Sequence, residues 1–407
     1  MRIGQGFLLG AAWLVLAAMP VGSAYGTTIS GKASTVIEWY DTPREDTAVP
    51  VYQYLTLNAI DLGGQGYNFR GYGRLGADLA NESTMDADSR LYYAYFDKTG
   101  FLASKLDCRL GRQLIANAAG LSILDGMALR YHDVGPLTFS MFGGGDVAYY
   151  KSYDAQDFTV GGEVSGKFPQ GLDLGLSYIE KWGDGELTHE VIGFTGDYDL
   201  LDQLDIYTDL QYSWLTAELT YGLAGVKYHR SAKWTLRGEY LYSLPVFSST
   251  SIYSVFAVAE YKQALGEMDY RLAPGLRAFG RYTREMYEEY DNADVFEVGI
   301  EQIRTKRLSG YLIGTMRHAR DSQDLQGFKA RVGYLLNRFL DAGISVDYDV
   351  LERWLDIDED TTTSSRYGVD LTAYLTRKID VQAKVERIES DLWQESYQGQ
   401  VRLNIKF

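Results

Sequence analysis

One cysteine, Cys108, in 407 residues excludes an internal disulfide framework and any multi-cysteine metal site. No Cys-x-x-Cys-His occurs, so the chain attaches no c-type haem of its own. Cations are outnumbered, with 39 Lys and Arg against 55 Asp and Glu and a net charge of −16. That balance excludes nucleic-acid binding, which needs basic patches. Histidine is scarce: His132, His189, His229 and His318 stand far apart. None falls in a His-Glu-x-x-His helix, and no Gly-x-Ser-x-Gly elbow is present. No catalytic constellation emerges, and an enzyme is not expected. Proline is down to 7 residues, which a large sheet tolerates, because proline cannot donate to a strand ladder. Long apolar runs are missing as well. Beyond the N-terminus nothing approaches the roughly 20 apolar residues of a spanning helix.

The N-terminus has its own pattern. Arg2 supplies a positive start, an apolar core runs from Phe7 to about Ala18, and small residues follow at Gly22-Ser23-Ala24 or Ala24-Tyr25-Gly26. This is the layout of a cleavable secretory signal. The expected organisation is a signal peptide over residues 1–26 and one domain over 27–407. Helices and closed barrels are the only structures that satisfy every backbone group in lipid. A mature chain without spanning helices therefore enters a membrane only as a barrel. The abundant residues fit one. There are 33 Tyr against 16 Phe, and the apolar body and polar tip of Tyr suit a membrane–water boundary.

A barrel predicts strict alternation in segments of about ten residues. The last segment shows it best. Tyr397, Gly399, Val401, Leu403, Ile405 and Phe407 share one face, and Gln398, Gln400, Arg402, Asn404 and Lys406 share the other. The terminal aromatic resembles the C-terminal signal by which barrel proteins are handed to the outer-membrane insertion machinery, with Tyr397, Val401, Leu403, Ile405 and Phe407 as its residues. Ile344, Val346, Tyr348 and Val350 oppose Ser345, Asp347 and Asp349 in the same way. Trp234, Leu236, Gly238, Tyr240 and Tyr242 oppose Arg237 and Glu239, and Ile29, Ala33, Ile37 and Trp39 oppose Lys32, Ser34 and Glu38. Short connections, such as Gly63–Gly66, Gly135–Pro136, Pro169–Gly171, Gln263–Gly266 and Asn337–Arg338, alternate with mostly longer, acidic ones. The latter include Asp41–Pro50, Asn81–Asp88, Lys151–Gln156, Leu244–Ser251, Ala319–Asp324 and Arg353–Ser364. Short periplasmic turns and longer external loops are the barrel habit. The expected fold is all-β: a transmembrane antiparallel up-and-down β-barrel of about 18–22 strands, with 22 from the count of connections.

Charges that would cost roughly 2–4 kcal/mol facing mid-membrane lipid are expected to line the lumen. The expected lumen or constriction residues are Arg109, Arg112, Arg130, Arg237, Arg277, Arg281, Glu239, Glu297 and Asp347. Leu110-Gly111-Arg112-Gln113 followed by Leu124-Asp125-Gly126 resembles a pairing in porin-like barrels whose intervening segment folds inward. Here that segment, Leu114–Leu124, is small and apolar. It is expected either to form a constriction loop, with Arg112 held against an acidic wall residue, or to be an ordinary external loop. Cys108, between Leu106 and Leu110, is expected to face lipid. The acidic clusters Asp356, Asp358, Glu359, Asp360 and Glu285, Glu288, Glu289, Asp291 lack the glycine-punctuated spacing of a calcium loop. They read as a solvated rim next to lipopolysaccharide, or as carboxylates bridged by its divalent cations. No metal and no resident cofactor are expected.

Strands starting near Thr28 leave no room for a plug, although 22-stranded transporters carry one and porins of 16–18 strands leave a channel. Two functions follow. One is a porin-like channel for small polar solutes in the outer membrane of a Gram-negative bacterium. The other comes from the spare design, which resembles the barrel component of porin–cytochrome conduits. That resemblance implies a sheath around a multihaem cytochrome, with the haems in the partner. Outer-membrane lipid, lipopolysaccharide and the insertion machinery are the remaining expected partners.

Overall fold

The computed structural model describes residues 26–42, 47–80, 88–148, 157–200, 203–244, 260–288, 291–319, 324–352, 361–391 and 394–407. The expected signal peptide lies outside these residues except for Gly26. So do most of the expected loops at 81–88, 151–156, 244–251, 319–324 and 353–364, and the acidic residues Glu289 and 356–360.

The strands are β1 (Thr28–Asp41), β2 (Thr47–Ala48), β3 (Pro50–Leu62), β4 (Tyr67–Asp78), β5 (Arg90–Gly100), β6 (Leu106–Asn117), β7 (Gly120–Val134) and β8 (Leu137–Asp146). They continue with β9 (Phe158–Phe168), β10 (Leu172–Gly183), β11 (Glu186–Leu200), β12 (Leu204–Ser213), β13 (Glu218–Ser231), β14 (Trp234–Ser243), β15 (Tyr261–Ala273) and β16 (Leu276–Tyr287). The last are β17 (Ala293–Gln302), β18 (Leu308–Ala319), β19 (Leu325–Asn337), β20 (Leu340–Glu352), β21 (Thr361–Tyr374), β22 (Ile379–Ser390) and β23 (Gln394–Lys406). All lie in one sheet. β1 pairs with β3 on one side and with the last strand, β23, on the other, both antiparallel. With β2 a two-residue extension, 22 strands make a closed up-and-down antiparallel barrel. The even number returns both termini to the same end.

The chain divides into two compact units. One comprises residues up to Phe96 with Glu301–Ile313 and Gly327–Phe407, and the other comprises Asp97–Ile300 with Gly314–Gln326. The first contains the closing seam. Lys32 through Tyr40 run in register with Lys406 back to Gln398, and Gly31 and Phe407 exchange two backbone hydrogen bonds of 3.1 Å. On the inward face Ser34 donates to Asn404 at 2.7 Å, Asn404 to Asp380 at 2.7 Å and Gln400 to Glu38 at 2.6 Å. On the outward face the Trp39 indole covers Gly399, where a Cβ would lie 2.0 Å from the ring. Ile37, Leu55, Leu75, Ile344 and Val369 point outward and are exposed. The inward face of β3–β5 carries Tyr52, Tyr54, Tyr72 and Tyr92 in sequence, with ring centroids 6.0, 6.3 and 4.8 Å apart.

The second unit follows the same rule. Met141, Leu176, Leu210, Phe296 and Val298 stand outward with side chains left open, Val298 at 66% exposure. Burying such a side chain is worth about 1.5–3 kcal/mol, so a continuous belt of them calls for a lipid solvent rather than water. Cys108 lies on that face between Leu106 and Leu110, as expected. One expected turn is misplaced. Gln263–Gly266 is mid-strand in β15, where Gly266 pairs with Gly238, and the chain reverses instead at Pro274–Gly275. Gly275 takes φ +77°, which glycine adopts freely, and Pro-Gly is the stronger punctuation.

Candidate functional site

Leu114–Leu124 is neither a loop nor part of the outer wall. β6 runs on to Asn117 and β7 starts at Gly120, so only Ala118 and Ala119 form the turn, and the segment is a hairpin in unbroken register. It takes strand geometry because its two edges pair in register, and it does not alternate because both faces of the hairpin are apolar or small. Its inner half leaves the wall at a cluster of glycines. A Cβ on Gly126 would lie 2.1 Å from the Gly143 carbonyl oxygen, and one on Gly144 would lie 2.4 Å from the Asp125 oxygen. No other residue permits that backbone approach.

The hairpin folds against the luminal wall of β8–β11. Leu124 and Ala119 pack with Phe142, Ile179 and Val191 in a small buried core flanked by Ile115 and Ala128. The Ala119 N–H donates to the Ser177 hydroxyl at 2.7 Å. The Ala118–Ala119 peptide rests on Gly193, whose absent Cβ would lie 2.1 Å from the Ala118 carbonyl carbon. Lys181 Nζ donates to the Leu121 carbonyl at 2.9 Å. Asp146 Oδ1 accepts from both Ser122 and Thr159 at 2.9 Å. The other face of the hairpin, with Leu114, Leu121 and the Arg112–Asp125 pair, is turned away from this wall.

Arg112 makes a bidentate pair with Asp125, directly opposite in the same hairpin, with Nε to Oδ1 at 2.8 Å and Nη2 to Oδ2 at 2.7 Å. A planar fork matched to a carboxylate stiffens the two strands where they leave the wall. Arg and Asp lie thirteen residues apart, and only the hairpin register brings them together.

Among the other expected luminal residues, the charges of Arg237, Glu239, Arg277, Arg281 and Glu297 are matched close by. Arg237 bonds Glu239 at 2.6 Å and donates to the Tyr207 hydroxyl at 3.2 Å, while Tyr207 also bonds Glu239. Arg281 bridges Glu267 at 2.6 Å and Glu297 at 2.9 Å, and Arg277 pairs with Asp269 at 3.0 Å. Arg109 stands inward on β6, opposite Ala128, and Arg130 stands inward on β7, opposite Ser140. In the first unit Asp347 faces inward opposite Arg366, and its Oδ1 is buried without a hydrogen bond. Glu267, Asp269 and Tyr207 were not singled out from the sequence. The alternation of their strands carries the signal, since each sits on the polar face next to a luminal arginine. Replacing Arg281 with Ala leaves Glu267 and Glu297 without their shared cation. The reversal potential in a salt gradient is expected to move toward cation preference, with a stability loss of about 1–3 kcal/mol in denaturant titration.

The outward apolar belt and the closed seam define a membrane-spanning antiparallel β-barrel, with the β6–β7 hairpin packed on the inner face of β8–β11. No protein-family model matches the sequence, and no curated protein does. Solved structures match by shape. The translocation pore of the P pilus usher PapC is 9% identical with a TM-score of 0.55, covering 93% of this chain and 99% of that one. Pseudomonas aeruginosa OpdQ is 10% identical with a TM-score of 0.47, covering 94% and 98%. Pseudomonas aeruginosa OccK3 (OpdO) is 11% identical with a TM-score of 0.47, covering 94% and 95%. At such identities the likeness to the usher pore is one of fold.

Proposed function

We propose that this chain is a channel in the outer membrane of a Gram-negative bacterium, passing small polar solutes through a lumen narrowed by the β6–β7 hairpin. The observation behind this reading is the seating of Ala118–Ala119 on Ser177 and Gly193. A hairpin that binds the inside of the wall through a buried core is a fixed element of the bore rather than an external loop. The polar inward face supports it, because paired charges of both signs keep water in the lumen without a strong net field.

The test is single-channel conductance of the purified barrel in a planar bilayer, compared with a variant in which residues 114–123 are replaced by a two-residue Asn-Gly turn. Discrete openings that grow several-fold in the variant are expected. Equal conductance in the two proteins, or none in either, would defeat the reading. Co-purification of a haem protein that blocks the current would favour the sheath around a multihaem cytochrome.

A further inference from the structure

Beside the hairpin tip, toward the short turns Gly135–Pro136 and Pro169–Gly171, the luminal wall is hollowed. A recess of about 440 Å³ opens over β7–β12. Its floor is one cross-strand row of Thr138, Ser165, Gly175 and Thr195, which the registers place side by side. These are the inward positions next to Ser177 and Gly193, where the hairpin tip rests. The floor is low because its side chains are short, and a Cβ on Gly175 would already meet the Thr195 hydroxyl at 2.5 Å.

The rims are charged. On the hairpin side stand Arg130 and Glu163, each opposite Ser140 from a different side. Their backbones are two strands apart, about 10 Å. Glu163 Oε1 lies 4.0 Å from the point a Gly175 Cβ would occupy, so the carboxylate overhangs the floor. On the far side Lys167 and Asp173 pair at 3.5 Å and neutralise each other, with Asp197 beyond them. Among the described residues neither Arg130 nor Glu163 has an ion pair or a side-chain hydrogen bond. The other arginines expected to line the lumen of β14–β17 are all paired, which sets this cation apart.

We infer that the recess is a binding subsite for a small zwitterion, with the solute carboxylate at Arg130 and its ammonium at Glu163. A guanidinium matches a carboxylate bidentately, and a carboxylate accepts from an ammonium. The floor hydroxyls of Thr138, Ser165 and Thr195 supply neutral hydrogen bonds to the body of the solute. The hairpin above removes bulk water from one side and strengthens both charged contacts. The physiological use of the site rests on the channel reading, whereas the binding itself does not.

The experiment is equilibrium binding of alanine to the detergent-solubilised barrel. Propionate and ethylammonium serve as the two half-probes, and conductance is recorded in parallel. Alanine is expected to bind at least tenfold more tightly than either half-probe. Arg130→Ala and Glu163→Gln are each expected to weaken alanine at least tenfold, and Gly175→Leu to abolish binding by filling the floor. Each variant is checked for folding by heat-modifiable gel mobility. Propionate or ethylammonium binding as well as alanine would overturn the inference, as would alanine binding indifferent to both charge variants, or no binding. A barrel that conducts without binding alanine refutes the subsite alone. One that binds alanine without conducting refutes the channel and leaves the subsite.

Discussion

Gly193→Leu is expected to raise the single-channel conductance several-fold and to make the open level noisy, while the barrel itself remains folded. Gly193 lies in the middle of β11, in register with Ser177 and Gln211. Its backbone is ordinary extended strand, which leucine adopts readily. The new side chain points into the lumen at the place the hairpin tip occupies, where even a Cβ would lie 2.1–2.2 Å from Ala118 and Ala119 backbone atoms. The wall cannot yield, since β11 is hydrogen-bonded on both sides, so the hairpin must. Displacing it removes the Ala119–Ser177 hydrogen bond, worth about 1 kcal/mol, and opens the small core around Leu124. A large-to-small loss at a fully buried leucine costs about 2–5 kcal/mol, which sets the scale of what holds the hairpin down. In the variant whose hairpin has been replaced by a turn, Gly193→Leu should change nothing further. That non-additivity is the mark of a shared element. Additive effects in the two backgrounds would show that Gly193 acts on the bore by another route.

Removing residues 394–407 is expected to abolish the membrane-inserted barrel, and removing Phe407 alone to cut its yield in cells at least tenfold. β23 is hydrogen-bonded to β1 and β22 along nearly its whole length. Without it both neighbours would present unpaired N–H and C=O groups to lipid, at several kcal/mol for each group. Phe407 is a subtler case. It gives up two backbone hydrogen bonds to Gly31 and a ring that covers that glycine. Heat-modifiable mobility in the membrane fraction measures the yield. Refolding into detergent micelles, without insertion machinery, separates the two roles of the C-terminus. Normal refolding with failed assembly in cells assigns the loss to a recognition signal formed with Tyr397, Val401, Leu403 and Ile405. Failure in both assigns it to closure of the seam. Unchanged yield in cells would remove Phe407 from either role.

The barrel could be read from the chain because lipid imposes a rule of period two on every strand, and that rule survives any uncertainty about boundaries. Ile344 and Val369 outward, Asp347 and Asp370 inward, follow from alternation alone. The count of 22 followed from punctuation, and one misplaced turn at Gln263–Gly266 did not disturb it, because Pro274–Gly275 stood ready in the same interval. The hairpin was legible only as a departure from the rule. Gly126 and the run Gly143–Gly145 were visible as residues, but their meaning lay in a backbone approach between strands. No spacing along the chain encodes that approach.

The sequence by itself determined that this protein is a closed antiparallel barrel and which strand positions face outward, since each depends only on local alternation and on the cost of polar groups in lipid. Tertiary structure alone decided which charges meet. Arg112 found Asp125 across its own hairpin, Arg281 found two carboxylates, and Arg130 and Glu163 were left open above a floor of Thr138, Ser165, Gly175 and Thr195. Those outcomes depend on strand register and on where the hairpin bends, which are set by contacts between residues far apart in the chain.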